Sequence, residues 1–551
     1  MRPISLTLAS DGRVAIRRYG MGAVSAANYS DAVSGASYDF EERAHFVTEA
    51  KFLGVYERLR ASGLPLSVDG AVMRLLGGLE REASSFVGAA EARLERIDEI
   101  LSTDGHRLYP YQRDGVRWLA PRSGALLADD MGTGKTISTL AALPAAAPLL
   151  VVCPAVVKGV WAREAERWRP DLMPSVLAGR TSFRWPERGE MLTLNYDILP
   201  TAEQLAKAGP PPVGCVGVGD EAHALKTYGS KRTEKFRAMA SAMRERDGKT
   251  FLLTGTPLLN EPIDLWCVLS AANLEREAFT NWSTFVRLFK GHKRVLNDGT
   301  PIGWVFGMPD EEVPERLSRV MLRRMKRDVL PQLPVKTWRE LTVDCKPGVL
   351  KECDAAVRAL KARGMDVADV DAALLRTTLE FEEFSRTRAA LAAAKIPAML
   401  QLVKEFETHA EPLLVFSAYR APIDVLAGRP GWKLITGDTS GRERTQIEEA
   451  FQRGELKGVA STIRAGGVGI TLTRACNAVF VDREPGPTVN EQAEDRLVRI
   501  GQTRGVVITT LVVAHVLDRR LAEICTNKQA LIDATLDMRK QLHLKEVGDG
   551  R

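Results

Sequence analysis

Between Arg107 and about Ser270, short apolar runs alternate with stretches of amphipathic helical periodicity. The runs Gly124–Ala128, Leu149–Cys153, Met191–Asn195, Cys215–Gly219 and Thr250–Thr254 have the length and composition of strands buried on both faces. A second such region extends from about residue 396 to 535, with strands expected at Leu413–Phe416, Lys433–Ile435, Gly458–Ala460, Ala478–Val481 and Val506–Val512. Strands alternating with helices predict parallel sheets covered on both sides. The stretch 271–395 breaks the rhythm with aromatic-rich loops (Trp282, Phe285, Phe289, Trp304, Phe306) and with long charged helices over Glu311–Leu330 and Leu374–Leu402. Residues 1–100 have another texture, a polar Gly/Ser/Ala-rich start followed by helical periodicity over Phe40–Arg60 and Ala71–Ile100. The expected fold is therefore α/β, two lobes with a helical insertion between them and a small N-terminal accessory domain. The boundaries are 1–100 for the accessory domain, 101–270 for the first lobe, 271–395 for the insertion and bridge, 396–535 for the second lobe and 536–551 for a tail.

Composition agrees with several domains. A chain of 551 residues exceeds one core and, at about 150 residues per domain, predicts three or four. The 76 Lys+Arg against 70 Asp+Glu leave a net charge of +6, which permits a nucleic-acid partner without demanding one. Seven scattered cysteines (153, 215, 267, 345, 353, 476 and 525) form no C-x-x-C pair, so neither a disulfide framework nor structural zinc is expected. The N-terminal segment lacks a signal-peptide core. The longest apolar stretch, Leu140–Val157, is broken by Pro144, Pro148 and Pro154, so no membrane association is expected. These features predict a cytoplasmic, non-secreted protein.

The chemistry concentrates at strand ends. After Ala128 comes DDMGTGKTIST, in which Gly132 and Gly134 let backbone N–H groups converge on an anion. Lys135 is then placed for the β- and γ-phosphates of a nucleotide, and Thr136 for Mg²⁺ at the start of a helix. One departure stands out: Asp129 occupies the position of the usual first glycine of such loops. The other reading of this segment alone is a glycine-rich turn before a helix. Further on, the strand ending at Gly219 delivers Asp220-Glu221-Ala222-His223. Carboxylates at the exit of a buried parallel strand face the ligand-binding edge of the sheet. Asp220 suits Mg²⁺ held through water, and Glu221 suits orienting and deprotonating an attacking water. Taken alone, DEAH is also an acidic helix start.

These segments stand in one order with others: LYPYQRDGVRWL (108–119), VVCPAVVKGVWAREAERW (151–168), LLTGTPLLN (252–260), MLRRMKRDVLPQLPVK (321–336), LLVFSAYR (413–420), AGGVGITLTRA (465–475) and NEQAEDRLVRIGQT (490–503). The series, over about 430 residues, resembles the SWI/SNF-type ATPases of helicase superfamily 2, with 321–336 similar to that family's bridge into the second lobe. The resemblance implies two RecA-like lobes with ATP in the cleft between them. It implies adenine contact by Gln112, and phosphate and Mg²⁺ contacts by Met131, Gly132, Thr133, Gly134, Lys135, Thr136 and Asp220. Catalysis would fall to Lys135 and Glu221, with Arg496 and Arg499 as arginine fingers and Gln492 closing the interface. His223, Thr254, Gly255 and Thr256 would couple the γ-phosphate to movement.

The family binds DNA across both lobes without reading sequence, which implies backbone contacts by Lys158, Trp161, Ser461, Thr462, Gly466 and Gly467. TRAALAAAKIPAMLQLV (387–403) resembles the annealing-helicase branch, and YDFEERAHFVTEAKFLGVYERLR (38–60) is faintly similar to that branch's HARP domain; a generic helical domain is the other reading. Compactness and Ala/Arg-rich usage suit a bacterial or bacteriophage source. The function implied is an ATP-dependent DNA translocase acting on duplex or forked DNA, which remodels or anneals DNA or displaces bound protein. Two other readings remain: a strand-separating superfamily 2 helicase, and a non-hydrolysing DNA-binding scaffold.

Overall fold

The computed structural model describes residues 3–518 apart from 11–12, 19–28, 31, 34–35, 48, 77–90, 100–106, 178, 180–182, 228, 258–260, 296–300, 346, 363–377, 468–469 and 516–517, together with Thr535. The tail at 536–551 lies outside the described residues. The N-terminal segment differs from its expected helical texture. Strands β1 (Ile4–Leu8), β2 (Val14–Arg17), β3 (Ser37–Asp39), β4 (Ala44–Val47) and β5 (Leu66–Val68) form one sheet in the order β3-β4-β2-β1-β5. Ile4, Leu6, Val14 and Ile16 turn inward onto Tyr29, Phe52 and Leu59. The helix expected over Phe40–Arg60 spans Glu49–Ala61, because the apolar positions before it alternate in pairing strands. The helix expected over Ala71–Ile100 is helical at 71–76 and 91–99, with 77–90 outside the described residues. Strands this short carry too few repeats for period-2 alternation to outweigh neighbouring helical windows.

The first lobe is a wholly parallel seven-stranded sheet. Its strands are β6 (Gly124–Leu127), β7 (Leu149–Cys153), β8 (Met173–Val176), β9 (Glu190–Asn195), β10 (Val216–Asp220), β11 (Lys249–Leu253) and a short β14 (Met321–Leu322), in the order β14-β6-β11-β10-β7-β9-β8. Alternate side chains supply two cores: Leu149, Val151 and Cys153 enter the one holding Trp161 and Trp168, while Leu150 and Val152 enter the one holding Phe236, Phe279 and Phe285. Burial on both faces explains why β6, β7, β9, β10 and β11 read as apolar runs, whereas β8 at the sheet edge is partly exposed.

The 271–395 stretch is more than a helical insertion. Its aromatics lie in or next to helix Trp282–Leu288 and an antiparallel hairpin, β12 (His292–Val295) with β13 (Pro301–Val305), Phe289 and Phe306 following the helix and β13 directly. They pack ring on ring, with Trp282 and Phe285 stacked 5.4 Å apart. The long helix expected over Glu311–Leu330 is instead helix Val313–Ser318, strand β14 and helix Lys326–Val329. Pairing of Met321 and Leu322 with Leu126 and Leu127 competes successfully with helix there. The helix expected over Leu374–Leu402, whose start lies outside the described residues, is divided into Thr378–Ala394 and Ile396–Thr408 ahead of Pro397.

Strand β15 (Lys336–Val343) then joins the second lobe, a wholly parallel six-stranded sheet. With β16 (Leu413–Ser417), β17 (Trp432–Ile435), β18 (Gly458–Thr462), β19 (Asn477–Phe480) and β20 (Val506–Val513), its order is β15-β20-β19-β16-β18-β17. Leu413 and Val415 face one core and Leu414 and Phe416 the other. The two helix-flanked parallel sheets are RecA-like lobes. Among the described residues no helix is long and apolar enough to cross a membrane.

Phe251 is fully buried at the centre of the first sheet. Phe251→Ala is expected to cost about 3–5 kcal/mol of stability, read by urea or guanidinium denaturation. An unchanged midpoint would contradict this packing.

Candidate functional site

Strands β6, β11 and β10 lie side by side and end at the same edge of the first sheet. The loop 128–134, Thr254 and the Asp220-Glu221 pair leave from those three ends. The loop turns through Gly132 (φ 76°) and Gly134 (φ 81°), left-handed positions that glycine adopts without strain, and runs into helix Lys135–Ala142. The Lys135 ammonium folds back onto the loop, donating to the Asp129 carbonyl at 2.8 Å and the Asp130 carbonyl at 3.0 Å. Burial lowers its pKa, opposed by Glu221, Asp129 and Asp220. A half-buried ammonium hydrogen-bonded to two neutral carbonyls is incompletely compensated, and phosphate oxygens would suit it better.

Asp129 has a role that its position gave no hint of. Its carboxylate is 2% exposed and receives the Arg324 guanidinium, with Nε 3.0 and 3.2 Å from its two oxygens. Arg324 also donates to the Tyr111 carbonyl and fills the space beside Gly115, where a β-carbon would lie 2.8 Å from its Nη2. Gln112, expected at adenine, uses both ends of its amide within the protein: Nε2 donates to the Thr133 carbonyl at 2.9 Å and Oε1 accepts from the Tyr109 N–H at 3.0 Å. In this structure it ties its helix to the phosphate loop, as the Tyr111 hydroxyl does by donating to the same carbonyl at 2.8 Å.

The acidic pair is electrostatically split. Burial raises the Asp220 pKa, as does the charge of Glu221; its oxygens accept from the Trp161 indole at 2.8 Å and the Glu221 N–H at 2.9 Å. Burial also acts to raise the Glu221 pKa, but His223, Lys135 and Arg496 outweigh it and hold the carboxylate ionised. Glu221 takes a left-handed backbone (φ 51°), unusual for a residue with a side chain. Its Oε2 is buried and has no well-aligned hydrogen-bond partner, with His223 Nδ1 3.3 Å away. His223 Nδ1 is 3.4 Å from the Thr254 hydroxyl, which accepts from the Thr256 N–H at 3.1 Å. Gly255 leaves room for Met131, whose Cγ would lie 2.6 Å from a β-carbon there. The residues proposed for coupling thus form one continuous line from Glu221.

The second lobe meets this edge through helix Pro487–Glu494 and the turn after it. Arg499 lies on the phosphate loop: a β-carbon on Gly132 would be 3.2 Å from its Cγ. It donates to the Thr471 hydroxyl at 3.1 Å. Arg496 is buried, donating to the carbonyls of Gly467 at 2.6 Å, Ile470 at 3.1 Å and Gln492 at 3.1 Å. Its guanidinium braces its own lobe, and in this arrangement Arg499 is the one that reaches the loop. Burial and the charge of Arg499 push the pKa of Arg496 down, and burial lowers that of Arg499. Gln492 is 7% exposed and packs on Gly467, where a β-carbon would lie 3.4 Å from its Oε1.

Four of the residues expected at DNA are buried in this structure. Trp161 is 1% exposed and spends its indole N–H on Asp220, so it orders the acidic pair. Ser461 is equally buried and donates to the Ile435 carbonyl at 2.9 Å. Gly466 is buried where a β-carbon would meet Ser461 Oγ at 2.7 Å, and Gly467 is packed against Ile463 and Gln492. Lys158 and Thr462 remain half-buried, with Lys158 Nζ donating to the Leu177 carbonyl at 3.2 Å. Sequence reasoning missed Arg323, Arg324 and Lys326, which enter the site from the bridge. Their signal was the dense basic run RRMKR at 323–327.

The family model for the SNF2-related domain matches residues 111–351, and that for the helicase conserved C-terminal domain matches 394–501. The DNA annealing helicase and endonuclease ZRANB3 of Mus musculus is 28% identical over 477 residues, 84% of this chain and 43% of that protein. The SWI/SNF-related matrix-associated actin-dependent regulator of chromatin subfamily A-like protein 1 of Xenopus tropicalis is 30% identical over 78% of this chain and 44% of its own. The putative ATP-dependent helicase/translocase YwqA of Bacillus subtilis is 27% identical over 77% and 48%. The matched region therefore spans less than half the length of these relatives. A solved Sulfolobus solfataricus SWI2/SNF2 ATPase core in complex with dsDNA is 23% identical, covering 78% of this chain and 92% of that one, with a TM-score of 0.35.

Asp129→Gly would restore the usual loop residue yet strand the buried Arg324 cation. It is expected to lower stability by about 3–5 kcal/mol. A chemical denaturation curve matching the unaltered protein would contradict the role assigned to the pair.

Proposed function

Because the chain belongs to the SNF2-related, SWI/SNF-type ATPases of helicase superfamily 2, we propose that it hydrolyses ATP on DNA and turns closure of its lobes into movement along duplex or forked DNA. The observation that carries this reading is Arg499 of the second lobe lying on Gly132 of the first, on the sheet edge that holds Glu221. ATP would bind where Gly132 and Gly134 leave room, and Lys135 would exchange two loop carbonyls for phosphate oxygens. The paired oxygens of Asp220 and the Thr136 hydroxyl at the helix start suit Mg²⁺, which when bound would neutralise phosphate charge. Glu221, ionised and with an unbonded oxygen, would orient water and take a proton from it as that water attacks the γ-phosphorus and the bond to ADP breaks. Arg499, with Arg496 behind it, would meet the charge that develops on the transferred group.

The half-buried Lys158 and Thr462 are retained as contacts to the DNA backbone. Three of the relatives are named DNA annealing helicase and endonuclease and one a putative ATP-dependent helicase/translocase, which supports annealing of DNA as the output. DNA repair is the setting this output suits.

Glu221→Gln is expected to lower turnover about 10²–10⁴-fold while ATP still binds, measured by ATPase assay beside nucleotide titration. Normal hydrolysis by that variant would remove Glu221 as the base. Gly132→Ala, which adds a methyl at a left-handed position against Arg499, should slow turnover about tenfold or more. ATPase rates on blunt duplex, forked, gapped and single-stranded DNA at stated salt test the track. Best activation by single strands together with strong unwinding would favour a strand-separating helicase instead.

A further inference from the structure

The bridge between the lobes carries cations in both directions. On the first-lobe side, Arg323 donates to the carbonyls of Ala128 at 2.9 Å and Gly255 at 3.2 Å, and Arg324 pairs with Asp129. Two residues on, the Lys326 backbone N–H donates to the Asp130 carboxylate at 2.8 Å. Asp130 is the residue whose carbonyl accepts from Lys135. On the second-lobe side, the Lys326 ammonium, buried at 9% exposure, donates to Asp495 Oδ2 at 2.8 Å and to the Val498 carbonyl at 3.0 Å. Those two positions immediately precede Arg496 and Arg499.

Lys326 therefore touches the phosphate loop with its backbone and the arginine-bearing turn with its side chain. Lys336, the other bridge lysine here, reaches only the second lobe, at Glu494 (3.0 Å) and Asp495 (3.7 Å). Arg323 and Arg324 place these hydrogen bonds on the first lobe, and Arg323 reaches the second only through its charge, which acts on Glu491. An ammonium buried between a carboxylate and a carbonyl is held tightly, because moving it away would leave Asp495 short of a buried counter-charge. Any shift of the loop as Lys135 leaves the Asp130 carbonyl has a direct route through Asp130 and Lys326 to the turn that carries Arg499.

We propose that Lys326 is a positioning residue for hydrolysis, fixing the Arg496/Arg499 turn relative to the phosphate loop through Asp130 on one side and Asp495 and the Val498 carbonyl on the other. It touches no reacting atom, so its loss should act on the chemical step and leave nucleotide binding to the first lobe. The proposal rests on the ATP-hydrolysis reading above.

The test compares DNA-stimulated kcat, KM for ATP, nucleotide Kd and Tm across the full-length protein, K326M, K326R, D495N and the double variant K326M/D495N. Lys326→Met keeps the aliphatic stem and the backbone N–H but removes the ammonium. The expected result is kcat down about 10- to 100-fold, with KM and Kd within about threefold of the unaltered protein. K326R, which keeps the charge on Asp495, should recover most of that loss. The double variant should be no slower than the worse single one, since the two residues act as one contact. A lower Tm with kcat per folded molecule unchanged, or a rise in KM at constant kcat, would overturn the proposal. If K326M does not fold, D495N and K326R carry the same comparison, and wild-type kcat in D495N would also overturn it. Absence of hydrolysis by the unaltered protein would instead defeat the function reading. An active protein with inactive E221Q and fully active K326M would defeat this proposal alone.

Discussion

The buried pair of Asp129 and Arg324, 195 residues apart in sequence, holds the phosphate loop to the chain that leaves the first lobe for the second. Removing two opposite charges from water costs several kcal/mol each, and only close, multiply hydrogen-bonded geometry offsets that cost. The geometry is present: Arg324 shares its donors between Asp129 and the Tyr111 carbonyl, in a space cleared by Gly115. A pair of this kind contributes less by its net energy than by the penalty for separating it. The loop and the bridge must therefore move together. Arg323 and Lys326 extend the same attachment to Gly255 and to Asp495, so the proposed sensor, loop and arginine turn share one strip of backbone.

Around that strip the candidate site is a concentration of buried positive charge. Lys135, Arg496 and Arg499 all have pKa values lowered by burial; the charge of Arg499 lowers that of Arg496 further, while Asp495, Glu448 and Glu221 oppose the shift in both arginines. Like charges placed together out of water are costly in the absence of an anion, which is the electrostatic form expected of a preorganised phosphate site. The carboxylates are arranged to match. Asp220 is hydrogen-bonded on both oxygens, whereas Glu221 stays ionised with one oxygen uncommitted. Two adjacent acids with different surroundings suit the different tasks proposed for them.

Most of the two lobes was legible because their strands are buried on both faces. Such strands read as apolar runs bounded by helical periodicity, and their ends were located to within a residue or two, as at Leu149–Cys153. The N-terminal sheet was missed because its strands are short and sit among helical windows. The Glu311–Leu330 segment was misread because a charged periodic stretch gives no sign that Met321 and Leu322 will pair with another lobe's edge. At the candidate site, the structure brings together Lys135, Asp220, Glu221 and Arg499, which local pattern and resemblance had singled out. The burial of Trp161 and Ser461 was not, since a motif records residue type and spacing but not which side of a strand or helix faces the core.

The sequence alone therefore determined the kinds of elements in the two lobes, their order and which side chains carry the chemistry proposed for the site, because those depend on local periodicity and side-chain type. Only the tertiary structure decided which groups meet across long separations. It gave Asp129 a buried arginine in place of a glycine's freedom, and made Trp161 a donor to Asp220 rather than a surface contact. It also assigned Arg496 to bracing its own lobe while Arg499 reaches the loop. The physical reason is that pairing of buried charges depends on distance and desolvation in the folded chain. Neither quantity can be read from neighbours in sequence.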